Sequence, residues 1–472
     1  MRPAAQIAGA FVVLACALCV ASMPSVAEAN RWRAPQRLGG PPAGAALFAG
    51  GSSLSVAAWI NPDQSIDVAE GVGPRFGPVR QVRPSGNMIN PPLVGLAALA
   101  VSPRGDAVLV WVFRDSPGGP PEYSVRSGLS GQWSPPAALD NRGEALASLT
   151  AAIDSTGTVT FAWDGNGGTT SPTGAPIVNA LRTQVRLPDG SFLPVQTISQ
   201  DAPSNQGTPP SLPRGYSAPR LSVAPSGAAV VAWDRPAAGG RREVLFAQRA
   251  PGATSFGPRR AVPVLARAGP DAGGRALALR LQSGVDNAGG AQLAWLSRSG
   301  GRAILLAQQV SPDGQLARLR RISPPGAADP QLAVNARGDS ALAWRFYPTR
   351  PARVRVAMAA RGHSFGRPVT VSGAGAARST LTPRLAVDPA GATLVAWTDF
   401  RQGRRGNKLF AKSSRLWWSL GVRGRRFTPP ARLPSVGFAT LDGIAMGPKG
   451  HAVAVWAQSA EVGADVMGAV FR

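Results

Sequence analysis

Short apolar runs of strand length recur along the whole chain, and each run belongs to a fixed phrase. In one copy, an apolar run at residues 384–387 leads into a turn at residues 388–391 and then into a second apolar run at residues 392–397. Asp, Pro and Gly favour such a turn, because Pro fixes φ and Gly accepts positive φ. The second run is apolar at nearly every position, which is typical of a strand covered on both faces. The phrase therefore predicts two adjacent strands inside a stack of sheets.

A tryptophan closes the second strand of this phrase in eight copies. These residues are Trp59, Trp111, Trp163, Trp233, Trp295, Trp344, Trp397 and Trp456. A glycine precedes the tryptophan by six residues in seven copies, and Ser53 takes its place in the first. Self-similarity at intervals of 49 to 70 residues indicates a repeat architecture. Because the tryptophans keep one strand position, we expect buried wedges between repeats rather than platforms for sugar rings.

Two further strands follow each tryptophan, and the last of them has its own signature. An aromatic residue is followed six residues later by an aliphatic one. The pairs are Phe76 and Val82, Trp133 and Leu139, Phe192 and Ile198, Phe256 and Val262, Phe365 and Val371, and Phe427 and Leu433, with Leu316 and Ile322 as a variant. Four antiparallel strands per repeat are typical of a propeller blade. The sequence thus predicts an all-β protein, an eight-bladed β-propeller over residues 30–472. A two-sheet sandwich is the alternative, but it does not explain so regular a register.

The strand that the last blade lacks is found at the other end of the chain. Only 16 residues follow Trp456, which is enough for a third strand but not for a fourth. The segment at residues 32–38 carries the fourth-strand signature, with Trp32 and Leu38 as its aromatic and aliphatic members. We therefore expect the N-terminal strand to complete the last blade and to close the ring, which leaves no unpaired sheet edge there.

Residues 1–29 have the features of a secretory signal peptide. A basic Arg2 is followed by an apolar core at residues 7–20 and by a small-x-small cleavage site at residues 27–29. No later segment approaches the ~20 apolar residues that a membrane span requires. Both cysteines, Cys16 and Cys19, lie in the signal, so the mature chain is expected to have no disulfide. We expect a secreted or cell-surface protein without a transmembrane segment, with lipid anchoring at Cys16 as an alternative.

The chain is strongly basic, with a formal net charge of +25. A field of this sign attracts polyanions, so we expect an extracellular polyanion, glycan or protein as partner. Arginine supplies 47 of the 50 basic residues, and a GC-rich genome is the alternative origin of this bias. The sequence has no motif for specific nucleic-acid binding. With two histidines and no cysteine after residue 19, it predicts neither a His/Cys metal site nor a cofactor, and we expect a monomer.

Charged residues follow several of the tryptophans, at one common face of the predicted ring. They are Asp164, Asp234, Arg345 and Asp399. Strand direction places the loops after each second strand on the same face as the loops between blades. Carboxylates there bind sugar hydroxyls or a cation, or act as acid and base. The alternative is that they end strands and cap turns.

The most basic stretch of the chain covers residues 401–432. Arg401, Arg404 and Arg405 are predicted to lie in a loop before the third strand of the seventh blade. Trp417 and Trp418 are predicted to lie after that strand, on the opposite face. At about 3.3 Å per residue, a six-residue strand separates the two groups by about 20 Å. We therefore expect two small basic patches rather than one site.

The repeat resembles that of exported bacterial β-propeller proteins of high-GC organisms, and the resemblance covers the mature chain. In architecture it is also similar to sialidases. Their Ser-x-Asp-x-Gly-x-x-Trp box places the aromatic residue three positions after Gly, whereas here it comes six positions later. Sialidases also use a Tyr nucleophile, and neither Tyr123, Tyr216 nor Tyr347 lies in a recognisable site. The sequence predicts a secreted, non-catalytic binding propeller, and a propeller-type glycoside hydrolase or lyase is the alternative.

Overall fold

The protein is described by a computed structural model that covers residues 32–471. Residues 41, 44–45, 52, 74, 86–92, 114–118, 143, 167–178, 201–217, 238–240, 264–265, 268–278, 300, 348–351, 374–378, 381, 406–407, 423–425 and 460–463 lie outside the described part. The predicted signal peptide, including Cys16 and Cys19, also lies outside the described residues.

The described strands form eight antiparallel sheets, which we number as blades 1 to 8 from the sheet of Trp59 to the sheet of Trp456. The first strands are Leu47–Gly50, Val94–Val101, Ala145–Ile153, Arg220–Val223, Gln282–Val285, Ala327–Val334, Arg384–Val387 and Ala439–Met446. The second strands are Ser55–Ile60, Ala107–Phe113, Val159–Asn166, Ala229–Ala237, Ala291–Ser299, Ser340–Phe346, Thr393–Arg405 and Ala452–Ser459.

The outer half of each blade completes the sheet. The third strands are Ile66–Val72, Glu122–Arg126, Asn179–Arg186, Arg241–Arg249, Arg302–Val310, Arg353–Ala359, Lys408–Gly421 and Ala464–Phe471. The fourth strands are Arg80–Arg83, Ala137–Ala138, Gln196–Gln200, Arg260–Ala261, Arg320–Arg321, Val369–Thr370, Ala431–Arg432 and, for blade 8, Gln36–Gly39. Short extra strands are Arg75–Phe76, Ala266–Arg267 and Ser379–Thr380. The predicted all-β, eight-bladed propeller is confirmed, and the helix among the described residues is one 3-10 turn, Pro448–Gly450.

The turn between the first and second strands has the geometry that the repeated phrase predicts. In blade 7, Asp388 Oδ1 accepts hydrogen bonds from the backbone N–H groups of Ala390 and Ala392, at 2.9 and 2.7 Å. Gly391, between these two residues, has φ of +91°. The equivalent glycines are Gly105, Gly157, Gly227, Gly289, Gly338 and Gly450, and all have positive φ. Glycine recurs at this position because a side chain is strained in that conformation.

The eight tryptophans are buried wedges between blades, as predicted. Each is at most 1% exposed. Trp233 of blade 4 packs in one apolar cluster with Ala162 and Leu181 of blade 3. Trp59 of blade 1 packs with Leu38, on the fourth strand of blade 8. Every tryptophan contacts the preceding blade in this way, so each blade is stabilised mainly by its two neighbours.

The N-terminal strand closes the ring. Gln36 pairs with Gly468 and Gly39 pairs with Val466 in an antiparallel ladder. The same strand contacts blade 1, because the Gln36 side chain donates to the carbonyl of Phe76 at 3.1 Å and accepts from its N–H at 3.2 Å. The first strands of neighbouring blades contact one another around a full circle, which places them at the central channel. Within the described residues, no helix is long and apolar enough to cross a membrane.

Candidate ligand-binding face

The loops after the second strands and the loops between blades emerge on one face of the ring, which we call the mouth face. The first strands begin at this face, so their first residues surround the opening of the central channel. We call this opening the channel mouth and define it by Arg220, Arg280, Asp329, Arg384 and Asp442. They belong to blades 4 to 8, and the sequence prediction of the site included none of them.

Two of the predicted site residues form ion pairs with neighbouring strands. Asp234 has no solvent exposure, and its carboxylate pairs with Arg242 on the third strand of blade 4. Arg242 also donates to the backbone carbonyl of Asp234 at 3.1 Å. Arg345 pairs with Asp329, on the first strand of blade 6, and its guanidinium lies 5.3 Å from the centre of the Tyr347 ring. Both residues therefore connect strands of one blade at the mouth face.

The other two predicted carboxylates are also covered by protein. Asp164 is 2% exposed and lies opposite Leu181 in the ladder of blade 3. Asp399 is 8% exposed and lies opposite Arg415 in the ladder of blade 7. The three predicted carboxylates thus belong to blades 3, 4 and 7, and all of them are buried within the second strand, one or two residues after its tryptophan.

The prediction of a loop at Arg401, Arg404 and Arg405 is wrong, because residues 399–405 continue the second strand of blade 7. They pair with the third strand, Lys408–Gly421, and together the two strands form a long arm. Arg401, Arg404 and Arg405 lie on this arm. A polar sequence is compatible with it, because the two strands satisfy each other's backbone hydrogen bonds.

The predicted position of the two adjacent tryptophans is also wrong. Trp417 and Trp418 lie within the third strand, opposite Trp397 and Ala396, rather than after it. Trp418 is 9% exposed, and its ring centre lies 4.9 Å from that of Phe471. This tryptophan therefore belongs to the seam that the N-terminal segment closes.

Two arginines at the channel mouth belong to adjacent blades. Arg220 and Arg280 are both exposed, although protein atoms surround Arg220 on several sides, as expected for a side chain that lines a channel. This burial lowers the pKa of Arg220, and the positive charge of Arg280 lowers it further, while the charge of Asp234 opposes the shift. The sequence contains a signal for this position, since Pro-Arg-Leu opens the first strand in blade 4 and again in blade 7, at Arg220 and Arg384.

A carboxyl group with a shifted pKa lies at the same opening. Asp442 occupies a bulge in the first strand of blade 8, between the paired residues Leu441 and Gly443. Burial raises the pKa of Asp442 to about 7, although the charge of Arg384 and a hydrogen bond from the Ala457 backbone act in the opposite direction. Its Oδ2 atom has no hydrogen-bond partner among the described residues. A carboxyl group that titrates near neutral pH is typical of functional sites.

Most acidic side chains elsewhere in the described part are engaged within the protein. The ion pairs are Arg37–Asp465, Arg83–Glu122, Arg126–Glu70, Arg182–Glu144, Arg235–Glu243, Arg242–Asp234 and Arg345–Asp329. The carboxylates that accept hydrogen bonds in turns are Asp63, Asp106, Asp140, Asp154, Asp189, Asp286, Asp313, Asp339 and Asp388. No group of three or more His, Cys, Asp or Glu that could hold a metal ion occurs among the described residues. The charge that remains on the surface is mainly that of arginine.

No model of a known protein family matches the sequence, and no curated protein matches it. Several solved structures share its architecture. The polysaccharide lyase Uly1 is 12% identical, with 83% of this chain and 92% of that chain covered and a TM-score of 0.43. The WD40 domain of SCAP from fission yeast is 10% identical, with coverages of 94% and 98% and a TM-score of 0.44. The leech intramolecular trans-sialidase is 9% identical, with coverages of 90% and 88% and a TM-score of 0.35. At this level of similarity, none of them says what this chain does.

Proposed function

We propose that this protein is an extracellular, non-catalytic binding propeller that holds an acidic glycan or another anionic polymer at its channel mouth. The supporting observation is the pair Arg220 and Arg280, two exposed arginines of adjacent blades at the channel mouth, where the charge of Arg280 acts on Arg220. Such a pair is unfavourable when the site is empty, because like charges repel, and a bound anion relieves this repulsion. The guanidinium group presents a fork of N–H donors that matches carboxylate, sulfate and phosphate groups.

The predicted site residues fit this function in two ways. Asp234 and Arg345 each form an ion pair with a neighbouring strand of the same blade. These ion pairs fix the second strands of blades 4 and 6 at the mouth face. Asp164 and Asp399 have the same place in the fold. Arg401, Arg404 and Arg405 lie on the arm of blade 7, and the exposed Arg401 adds positive charge near the same face, where it attracts a polyanion before it reaches the mouth.

Export is part of the proposal, through the signal peptide predicted at residues 1–29. The test uses the purified secreted protein on an array of neutral, uronate-containing and sulfated glycans. Acidic glycans are expected to bind and neutral ones are not. The double variant Arg220→Gln/Arg280→Gln is expected to lose at least tenfold in affinity, because one hydrogen bond to a charged group contributes about 1.5–3 kcal/mol.

The matched control for this variant is Arg337→Gln/Arg361→Gln, which removes the same charge from two exposed positions in turns on the opposite face of the ring. It is expected to change affinity by less than about threefold, since exposed charges contribute about 0–1 kcal/mol. Absence of binding to every acidic glycan contradicts the proposed function. Equal losses in both double variants contradict the proposed site.

A second candidate function is lyase activity on an acidic glycan, and Asp442 favours it. Arg384 would neutralise the carboxylate of a uronate, while Asp442 removes the proton from the adjacent carbon. The electron pair left on that carbon forms a C=C bond to the next carbon as the C–O bond of that next carbon breaks, and water gives the departing oxygen its proton. This reaction gives an ultraviolet-absorbing unsaturated uronate. The product is expected to disappear in Asp442→Asn and to persist in the control Asp313→Asn, an exposed carboxylate in blade 5; absence of product from the unmodified protein contradicts the activity.

A further inference from the structure

The fourth strands form the outer edge of the ring, and arginine is unevenly distributed among them. The equivalent seven-residue segments of blades 2 and 3, residues 133–139 and 192–198, contain no arginine. Each of the other six blades has at least one arginine in or next to this segment. A compositional bias of the whole chain does not explain an arc with such a gap, because all eight segments occupy the same place in the fold.

The arginines of this arc face outward. The exposed ones are Arg259 and Arg260 in blade 4, Arg318, Arg320 and Arg321 in blade 5, Arg367 in blade 6, Arg432 in blade 7, Arg33 and Arg37 in blade 8, and Arg75 and Arg80 in blade 1. We call this set the rim arc. In the same segments the aliphatic residue is buried, for example Val262 and Leu433, so the polar side chains are left at the surface.

Contacts between blades hold two arginines of the rim arc in place. Arg320 of blade 5 donates to Ser364 of blade 6 at 3.2 Å, and Arg80 of blade 1 donates to the carbonyl of Gly131 in blade 2 at 2.9 Å. These bonds use only part of the donor capacity of a guanidinium group, which has five N–H groups. The remaining donors are available to a ligand, and the bonds hold the side chains across the seams.

The seams between blades are also grooved where the arc crosses them. A groove of about 580 Å³ between blades 8 and 1 is lined by Arg33, Arg75 and Phe76. A groove of about 320 Å³ between blades 4 and 5 is lined by Phe256 and Arg260 of blade 4 and by Asp313 of blade 5, among others. A groove with an arginine at its edge can accept a sugar ring that carries an anionic substituent.

The positive charge of the arc is locally uncompensated in blade 6. Arg355 lies 5.0 Å from the centre of the Phe346 ring, and burial together with the charge of Arg367 lowers the pKa of Arg355. The outer segments of blades 4 to 7, residues 256–262, 316–322, 365–371 and 427–433, contain no acidic residue. An anion is therefore the group that this surface accepts most favourably.

We propose that the rim arc is a track for a linear anionic polysaccharide, which runs around the outer edge of the propeller from blade 4 through blade 7 towards blade 1. Stacked sheets are about 10 Å apart, so four blades span at least about 30 Å, the length of several charged sugar units. Binding at successive blades is multivalent, and affinity rises with chain length until the chain spans the arc. The track goes beyond the proposed site at the channel mouth and does not depend on it.

A polysaccharide fits this surface better than a single-stranded nucleic acid does. Proteins that bind single strands add exposed aromatic rings on which bases stack. In blades 1 and 4 the aromatic residue of the segment points inward, since Phe76 and Phe256 are at most 5% exposed, and those of blades 6 to 8 are half-buried. The bonds between blades explain Arg80 and Arg320 as structural links. They do not explain Arg318, which is exposed and makes no such bond to another described residue.

The test measures binding of size-fractionated heparin to the purified protein by fluorescence anisotropy at several NaCl concentrations. The rim variant is Arg318→Gln/Arg367→Gln/Arg432→Gln, in three consecutive blades. Its matched control, Arg142→Gln/Arg302→Gln/Arg337→Gln, removes the same charge from exposed positions outside the arc. We expect the rim variant to lose at least tenfold in affinity for long heparin and to release about two to three fewer ions on binding. We expect less than about threefold from the control.

The outcomes separate the two sites. Equal losses in the rim and control variants overturn the track, because net charge then explains the binding. Loss of long-heparin binding in Arg220→Gln/Arg280→Gln, with none in the rim variant, also overturns the track and leaves the channel mouth as the binding site. Loss in the rim variant alone supports the track, whatever the mouth binds. A single-stranded DNA of equal length that binds as tightly, with the same dependence on the rim arginines, overturns the assignment to a polysaccharide.

Discussion

The ring closes through a four-residue strand, and a single methyl group is expected to weaken this closure. Gly39 ends that strand and lies against the indole ring of Trp59 in blade 1. A Cβ atom at Gly39 would lie 2.5 Å from Cζ2 of Trp59 and 2.6 Å from its Cε2. Trp59 is fully buried and donates from Nε1 to Asn61 at 3.1 Å, so its ring has no room to retreat. The variant Gly39→Ala therefore forces the strand, the tryptophan or both to shift.

The expected size of the effect follows from the packing. An extra methyl group in a well-packed interior typically costs about 1–3 kcal/mol, and a collision with a fully buried ring belongs at the upper end of this range. The loss of stability has an upper limit, because the N-terminal strand can detach from blade 8 instead of being compressed. Detachment exposes Leu38, whose burial contributes about 1.5–3 kcal/mol, and breaks the two bonds between Gln36 and Phe76, at about 1 kcal/mol each. It also leaves the third strand of blade 8 as an open edge.

The neighbouring glycine supplies the control. A Cβ atom at Gly40 meets nothing closer than Nη2 of Arg37, at 3.9 Å. In guanidinium titrations followed by tryptophan fluorescence, Gly39→Ala is expected to lower the free energy of unfolding by about 2–3 kcal/mol. Gly40→Ala is expected to change it by less than about 0.5 kcal/mol. Hydrogen exchange of Ala464–Phe471 should become faster only in Gly39→Ala. Equal stability of the two variants would refute the assigned packing of the closing strand.

Three further predictions concern closure, the repeated turn and pH. Deletion of residues 30–40 should lower the melting temperature and promote aggregation in light scattering, because it exposes a sheet edge, whereas removal of residues 1–29 should change neither; a stable monomer would contradict the closure. Gly391→Ala should cost at least about 1–2 kcal/mol in denaturant titrations, because φ there is +91° and its Cβ would lie 3.1 Å from Asp339 Oδ2; an unchanged midpoint would count against the turn. The pKa of Asp442 is raised in the folded protein, so its contribution to stability is present below about pH 4 and is lost as pH rises through about 7. Between pH 5 and pH 8 the unmodified protein should therefore lose stability, and Asp442→Asn should not. The denaturation midpoint of the variant minus that of the unmodified protein should rise with pH, and a constant difference would argue against the raised pKa.

The repeat, the number of blades and the closure of the ring could all be predicted from the amino-acid sequence. Gly391 recurs because the turn needs positive φ, and Trp397 recurs because a wide ring fills the space between two sheets. The segment of Trp32 and Leu38 carries the same signature as the outer strands, so its place in the ring could be inferred without coordinates. These features depend on backbone conformation and burial within a few residues, and such requirements leave a visible pattern along the chain.

The burial of the charged residues and their pairing with one another followed only from the three-dimensional structure. Asp234 is predicted from its position after a tryptophan, but its pairing with Arg242 depends on the register of two strands. Arg220 and Arg280 are 60 residues apart and become neighbours because adjacent blades bring the starts of their first strands to one opening. Distances between such residues are set by the curvature of the whole ring, and no local pattern of apolar and polar positions records that curvature.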